Sequence, residues 1–181
     1  MLPFGRRRDN KRVQGMIGYF GLEDLSYTSF SDQERDYIRY VYQPMGAYED
    51  LLISGMISYM TQTLMGFLYG LAGWFTKQQD RPIAYKILKK AEELLDAGTR
   101  VLDVDFFWHH MVPIYYKDWD RPGYLDIAIS ACKKQIAVAP QAAEAFHADY
   151  ASQPLPGHKG YKQVSIILEK QKDFEDVIRL C

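Results

Sequence analysis

At 181 residues, 48% hydrophobic and 25% charged, the chain has the size and composition of one globular domain or one repeat array. A net charge of −1 gives no whole-molecule attraction to nucleic acid or to an anionic membrane. Two cysteines, Cys132 and Cys181, make no metal-binding or disulfide pattern, which points to a reducing, cytoplasmic setting.

Residues 1–20 read as a basic, flexible tail. Arg6, Arg7, Arg8, Lys11 and Arg12 stand there against Asp9, the pattern of a solvated segment or of a weak contact with an acidic lipid or nucleic acid. No apolar core of roughly 7–15 residues follows the arginines, so this is not a secretory signal. Residues 21–181 read as a single helical domain. Met16 to Leu25 is short, apolar and glycine-punctuated, and is expected to pack as an extended segment or turn against the first helix. That helix opens at Ser31, where Ser-Asp-Gln-Glu is a capping box: the serine oxygen takes an early N–H and Glu34 reaches back. Tyr37, Ile38, Val41 and Tyr42 form its apolar side, and Pro44 and Gly46 close it.

The next helix is expected to begin near Ser58. Residues 51–76 carry no charge, which raises a membrane span. Ser54, Ser58, Thr61, Gln62, Thr63 and Thr76 argue against one, and the Gly66/Gly70 pair serves close packing in soluble helices as well as in membranes. From Leu68 to Leu95 two amphipathic helices follow, joined by a polar turn. Leu68, Leu71, Ala72 and Phe75 share one face of the first; Ile83, Ala84, Ile87, Leu88, Ala91, Leu94 and Leu95 share one face of the second. Asp80 and Pro82 suit the start of the second helix, and Gly98 follows its last apolar residue.

Beyond Gly98 a helix is expected from about Asp103 to Lys117, kinked at Pro113. Asp120-Arg121-Pro122 repeats Asp80-Arg81-Pro82 and marks another start, leading into an apolar face of Leu125, Ile127, Ala128, Ala131, Cys132 and Ile136. Pro140 is expected to open a further short helix to Tyr150. Ser152 to Gly160 is a loop by its prolines and glycines, and a helix follows from Tyr161.

These patterns resemble the tetratricopeptide repeat, a helix–turn–helix unit of about 34 residues. Leu68, Leu71, Ala72 and Phe75, then Ala84, Leu88 and Ala91, fall at its apolar positions, with alanine where the two helices approach most closely. Ala128, Cys132 and Pro140 match a second unit. There Gln135 departs from the expected small apolar residue, and Val112, Tyr115, Tyr116 and Trp119 supply the first helix with a tyrosine at a small-residue position. A register that follows the duplicated Asp-Arg-Pro shifts this pairing by one helical turn, and both registers stand. Tyr161, Val164, Ser165 and Leu168, with Phe174, Val177 and Cys181, match a third unit, and the chain stops about two turns into its second helix. The ending predicts that further chain completes that helix. Ala84, Ala128 and Val177 occupy equivalent places at intervals of 44 and 49 residues, so the resemblance implies an all-α fold of antiparallel helix hairpins stacked as an irregular superhelical array over roughly residues 64–181.

No phosphate loop, GxSxG, HExxH or paired CxxC is present. Adjacent histidines on a helix point about 100° apart and share a metal poorly. A helical enzyme or metal-binding domain using His109 or His110, with Asp103, Asp105 or His147, is the alternative function; one partly buried and one surface histidine is the plainer reading. Cys132 lies on an apolar face and reads as core. The resemblance implies instead a non-enzymatic scaffold without cofactor. In that family the first helix of each repeat lines a concave groove that grips a peptide. Carried over residue by residue, the lining is Tyr69, Thr76 and Lys77 beside Gly66 and Gly73. It continues with His110, Pro113, Lys117, Asp120 and Arg121, and ends with Lys159, Lys162, Ile166, Glu169 and Lys170. Basic residues outnumber acids there, which predicts an acidic or C-terminal peptide as partner, against the plainer reading of a lysine-rich solvated face.

Overall fold

The computed structural model describes residues 14–44, 50–173, 175, 178 and 179, and among them every regular element is a helix. The chain divides into two compact units, Met1–Thr61 and Gln62–Cys181.

The first unit holds α1 (Gly15–Tyr19), α2 (Glu23–Ser29) and α3 (Asp32–Val41). Met16–Leu25, expected to be extended or a turn, is instead parts of two short helices around a tight corner at Gly21. A five-residue helix cannot satisfy its own first amides. Here the N–H groups of Gly15, Met16 and Ile17 donate to the carbonyls of Gly55, Leu51 and Leu52 at 2.9, 2.9 and 3.0 Å. Gly15 makes that approach possible: its φ is +65°, and a Cβ would sit 2.6 Å from the Leu51 carbonyl oxygen. Met16, Ile17, Leu22, Leu25, Phe30, Ile38 and Leu52 form the small core beneath. The Ser31 capping box is present in full, with Glu34 N–H donating to Ser31 Oγ at 3.2 Å and Ser31 N–H to Glu34 Oε2 at 2.9 Å. The basic cluster at residues 6–12 and Gly46 lie outside the described residues.

The second unit holds α4 (Leu64–Gly73), α5 (Arg81–Glu93), α6 (Val101–Tyr116), α7 (Tyr124–Asp149) and α8 (Lys159–Lys170). α4 packs on α5 and α6, α6 packs most extensively on α7, and α8 rests on both α6 and α7. The alanines at the expected crossings, Ala72 and Ala84, are wholly buried, as are Leu88, Ala91, Ala128 and Cys132. Small side chains at a crossing let helix axes approach, while Phe67, Phe75, Phe107 and Ile87 fill the space to either side.

Three helix boundaries differ from expectation. α4 starts at Leu64 rather than near Ser58, because Thr63 Oγ1 caps it by accepting from Gly66 N–H at 2.9 Å, and the residues from Ser58 to Gln62 are mostly exposed and offer no face to bury. α7 runs unbroken through Pro140. That proline is exposed and flanked by alanines, so strong helix formers on both sides outweigh one missing N–H. α7 also begins at Tyr124, after Gly123 at φ +81°, so the two Asp-Arg-Pro copies are not equivalent: Arg81 is the first residue of α5, whereas Arg121 precedes its helix. α6 likewise continues through Pro113. No helix among the described residues is long and apolar enough to cross a membrane.

Burial follows different registers on the two helices: α7 hides Ala128, Cys132 and Gln135, the residues of the first, while α6 follows the second. Trp108, Met111, Val112 and Tyr115 are all buried, whereas Trp119 is 59% exposed. The face that α6 hides is therefore the one in step with the duplicated Asp-Arg-Pro. Phe174, Val177 and Cys181 lie outside the described residues.

Gln135, the apparent misfit, is fully buried and joins three helices. Its Nε2 donates to Asp105 Oδ1 on α6 at 3.2 Å, and its Oε1 accepts from Gly160 N–H on α8 at 2.8 Å. A Cβ on Gly160 would stand 2.9 Å from the Cys132 carbonyl oxygen and 3.1 Å from Gln135 Oε1, both rigidly held. Gly160→Ala is expected to destabilise the protein by about 1–3 kcal/mol. Gly73→Ala, whose Cβ meets nothing within 4 Å, is expected to be neutral or slightly stabilising. Urea unfolding of the two variants checks the contrast.

Candidate functional site

α4, α6 and α8 carry most of the proposed groove residues, and side-chain contacts tie the three helices together. At one end, Thr63 Oγ1 donates to Asp103 Oδ1 at 3.0 Å, linking the starts of α4 and α6. Further along, the Tyr69 ring stacks on His110, centroids 4.7 Å apart and planes at 23°. His110 Nδ1 lies 2.7 Å from the Phe106 carbonyl oxygen; an oxygen there can only accept, so Nδ1 carries the proton. At the other end, Lys117 Nζ donates to the Thr76 carbonyl at 3.4 Å. Between α6 and α8, Lys170 Nζ donates to Tyr116 Oη at 3.0 Å and lies 5.7 Å from its ring centroid.

Of the residues predicted to line a groove, Tyr69 with His110 and Thr76 with Lys117 are brought together, and Lys170 reaches α6 through Tyr116. Lys77, Lys159 and Lys162 are exposed. Arg121 has its contacts in a separate cluster. It stands 4.5 Å over the Tyr124 ring and 3.6 Å from Asp118 Oδ2.

That second cluster is buried and ionic. Arg81 forks onto Asp118, Nε to Oδ2 at 2.8 Å and Nη2 to Oδ1 at 2.5 Å, while its Nη1 donates to the Thr76 carbonyl at 3.1 Å. Tyr85 donates its hydroxyl to the same carboxylate. Arg81 and Asp118 are each 7% exposed. The hydrogen bonds from Arg81 hold the Asp118 carboxyl well below the usual carboxylate range, against burial. Burial, then the Asp118 contact, pushes the Tyr85 phenol up, so it remains a donor.

A third feature lies between α6, the second half of α7 and the start of α8: a half-open cleft of about 250 Å³. Phe106, Ala142, Phe146 and Tyr161 form much of its wall, with Asp105, His109, Gln135 and His158 among its polar lining. Burial, with lesser contributions from Lys159, His110 and His158, pushes His109 down to about 4, and burial also lowers His110. Both imidazoles are neutral at physiological pH. Burial raises Asp105 against the opposing hydrogen bond from Gln135.

Among the described residues no three His, Cys, Asp or Glu side chains gather closely enough to hold a metal ion. Burial pushes the Cys132 thiol up to about 11, which keeps it protonated and unreactive. Sequence reasoning passed over the Arg81–Asp118–Tyr85 cluster, because Arg81 read as a helix-start residue and nothing along the chain links 81 to 118. It named Asp105 and His109 of the cleft as candidate site residues but not Gln135 or His158, which come from separate segments. No protein-family model matches the chain, and no curated protein or solved structure matches it.

Two titration windows follow. Asp118→Asn leaves Arg81 buried without its charge partner and is expected to cost about 3 kcal/mol at neutral pH. Since the folded Asp118 pKa is depressed, its contribution is complete above the unfolded value of about 4 and is lost as pH falls below it. The gap between wild type and Asp118→Asn in urea midpoint should therefore close in acid. His109 works over a higher window. It is neutral when folded, while the unfolded side chain takes a proton below about pH 6.5. Stability should fall as pH drops from there towards about 4, and His109→Gln should flatten that slope in the same measurement.

Proposed function

We propose that this chain is a non-enzymatic interaction module, its α4/α5 and α6/α7 pairs and α8 forming an irregular tetratricopeptide-repeat-like array. The face of α4, α6 and α8 is the lining that grips an acidic or C-terminal peptide segment of another protein. The observation that supports this reading is the run of contacts from Tyr69 to His110, Thr76 to Lys117 and Tyr116 to Lys170, which links α4, α6 and α8 along one side. Lys77, Lys117, Lys159, Lys162 and Lys170 stand exposed there, with Glu169 and Asp120 as the acids. With α6 in the register that its burial follows, Phe106, His109, Pro113, Tyr116 and Lys117 take the lining positions, and His110, Asp120 and Arg121 stand beside them. Phe106 and His109 also border the cleft.

Lysine ammonium groups on a shared face offer charge-assisted hydrogen bonds to carboxylates, and the neutral Tyr69 ring, held by its stack on His110, offers flat apolar contact between them. Exposed charges of this kind contribute modestly each, and salt screens them.

Lys162→Glu with Lys170→Glu is expected to weaken binding of a fluorescein-labelled glutamate-rich peptide about tenfold, equivalent to about 1.4 kcal/mol, with the circular-dichroism melting curve unchanged. Wild-type binding should itself weaken between about 0.05 and 0.5 M salt. Equal anisotropy titrations for wild type and double variant reject the groove assignment.

A further inference from the structure

We infer that the cleft between α6, α7 and the start of α8 is a binding site for an aromatic ring bearing a hydroxyl group, held between His158 and Asp105. The site does not depend on the lysine face, and it places a neutral, ring-shaped ligand where the peptide reading requires none.

The space is of the right size. An apolar cavity of about 150 Å³ admits benzene, and this cleft is about 250 Å³ and half open. Its width comes from α7: Ala139, Ala142 and Ala143 present methyl groups where longer side chains would close it, and Phe146 and Phe106 supply aromatic surfaces.

The polar end selects the ligand's chemistry. His158 Nδ1 accepts from Tyr161 N–H at 3.2 Å, as the cap of α8. With Nδ1 accepting, the neutral ring carries its proton on Nε2. That Nε2 is buried and has no hydrogen-bond partner among the described residues. It faces Asp105 Oδ1 at 3.9 Å, too far for a direct hydrogen bond. Two hydrogen bonds of about 2.8 Å meeting at one oxygen span roughly that gap. A hydroxyl fits both sides, because it accepts from His158 Nε2–H and donates to the Asp105 carboxylate. A carboxylate ligand would set two anions against each other, and a plain hydrocarbon ring would leave the His158 N–H unanswered. Gln135 donates to the same Asp105 oxygen and holds it in place. Since Nε2 is covered, seating the hydroxyl requires the 155–158 segment, which carries Leu155 and Pro156 at the cleft, to yield by about the depth of one oxygen.

A phenol reaches such a site either as a small molecule or as a tyrosine side chain of a polypeptide, and the test separates the two. The full chain is titrated with p-cresol, with toluene, and with matched neutral peptides carrying tyrosine or phenylalanine, while the His109 and His158 ring resonances are followed by NMR. p-Cresol is expected to saturate and to bind at least tenfold tighter than toluene, shifting both histidines. His158→Phe, and separately Asp105→Asn, should reduce the cresol-to-toluene ratio towards one. Both variants are expected to keep the wild-type amide spectrum elsewhere, and His158→Phe alone suffices if Asp105→Asn unfolds. Tighter binding of the tyrosine peptide than of its phenylalanine twin assigns the site to a side chain; cresol selectivity without peptide selectivity assigns it to a small phenol. The Lys162→Glu/Lys170→Glu variant should retain cresol binding, so failure of the lysine face leaves this result untouched. Equal binding of p-cresol and toluene, or no saturable binding of either, overturns the inference.

Discussion

The second unit depends on one buried ion pair. Arg81 at the start of α5 forks onto Asp118 just past the end of α6, and its remaining nitrogen holds the Thr76 carbonyl after α4. One guanidinium thus joins three helix ends. Such a pair carries a desolvation cost that its attraction only partly offsets, and here Tyr85 and the exposed Arg121 complete the shell around the carboxylate. Its consequence is orientation. With the ends of α4, α5 and α6 fixed to one another, the Tyr69–His110 stack and the Lys117–Thr76 bond fall into line rather than being searched for separately.

A second junction does for α8 what the ion pair does for α6. Gln135 is buried inside α7, and its amide satisfies Asp105 on one side and a Gly160 N–H at the start of α8 on the other. Gly160 allows α8 to approach the α7 backbone closely enough to use it. The same approach leaves the cleft: α8 touches α7 near Cys132 and Gln135, while the alanine-lined second half of α7 stands beside α6 with a gap between. The close packing and the cleft are two results of one glycine and a run of alanines.

Much of the second unit could be read in the sequence, because apolar spacing and small residues at crossings are local signals. Ala72, Ala84, Ala91 and Ala128 are buried as that spacing requires. Boundaries were less legible. Pro140 looked like a helix start because a proline's missing N–H is a strong local cue, yet alanines on both sides carry α7 through it. Thr63 sets the start of α4 partly through Asp103, forty residues away, which no window along the chain registers. The site divides in the same manner. The resemblance alone puts Tyr69, Thr76, His110 and Lys117 on one lining, and their pairwise contacts are a tertiary fact; Arg121, put there by the same count, stands instead beside Asp118 and Tyr124. Asp105, His158 and Gln135 meet only through tertiary packing.

If the Arg81–Asp118 pair sets the frame, weakening it must loosen more than its neighbourhood. Hydrogen exchange of wild type and Asp118→Asn, compared under conditions where both remain folded, tests this most directly. Faster exchange together across α4, α5 and α6, including amides around Tyr69 and His110, is the predicted result. Faster exchange confined to a few residues beside 81 and 118, with α4 and the middle of α6 protected as in wild type, would contradict it.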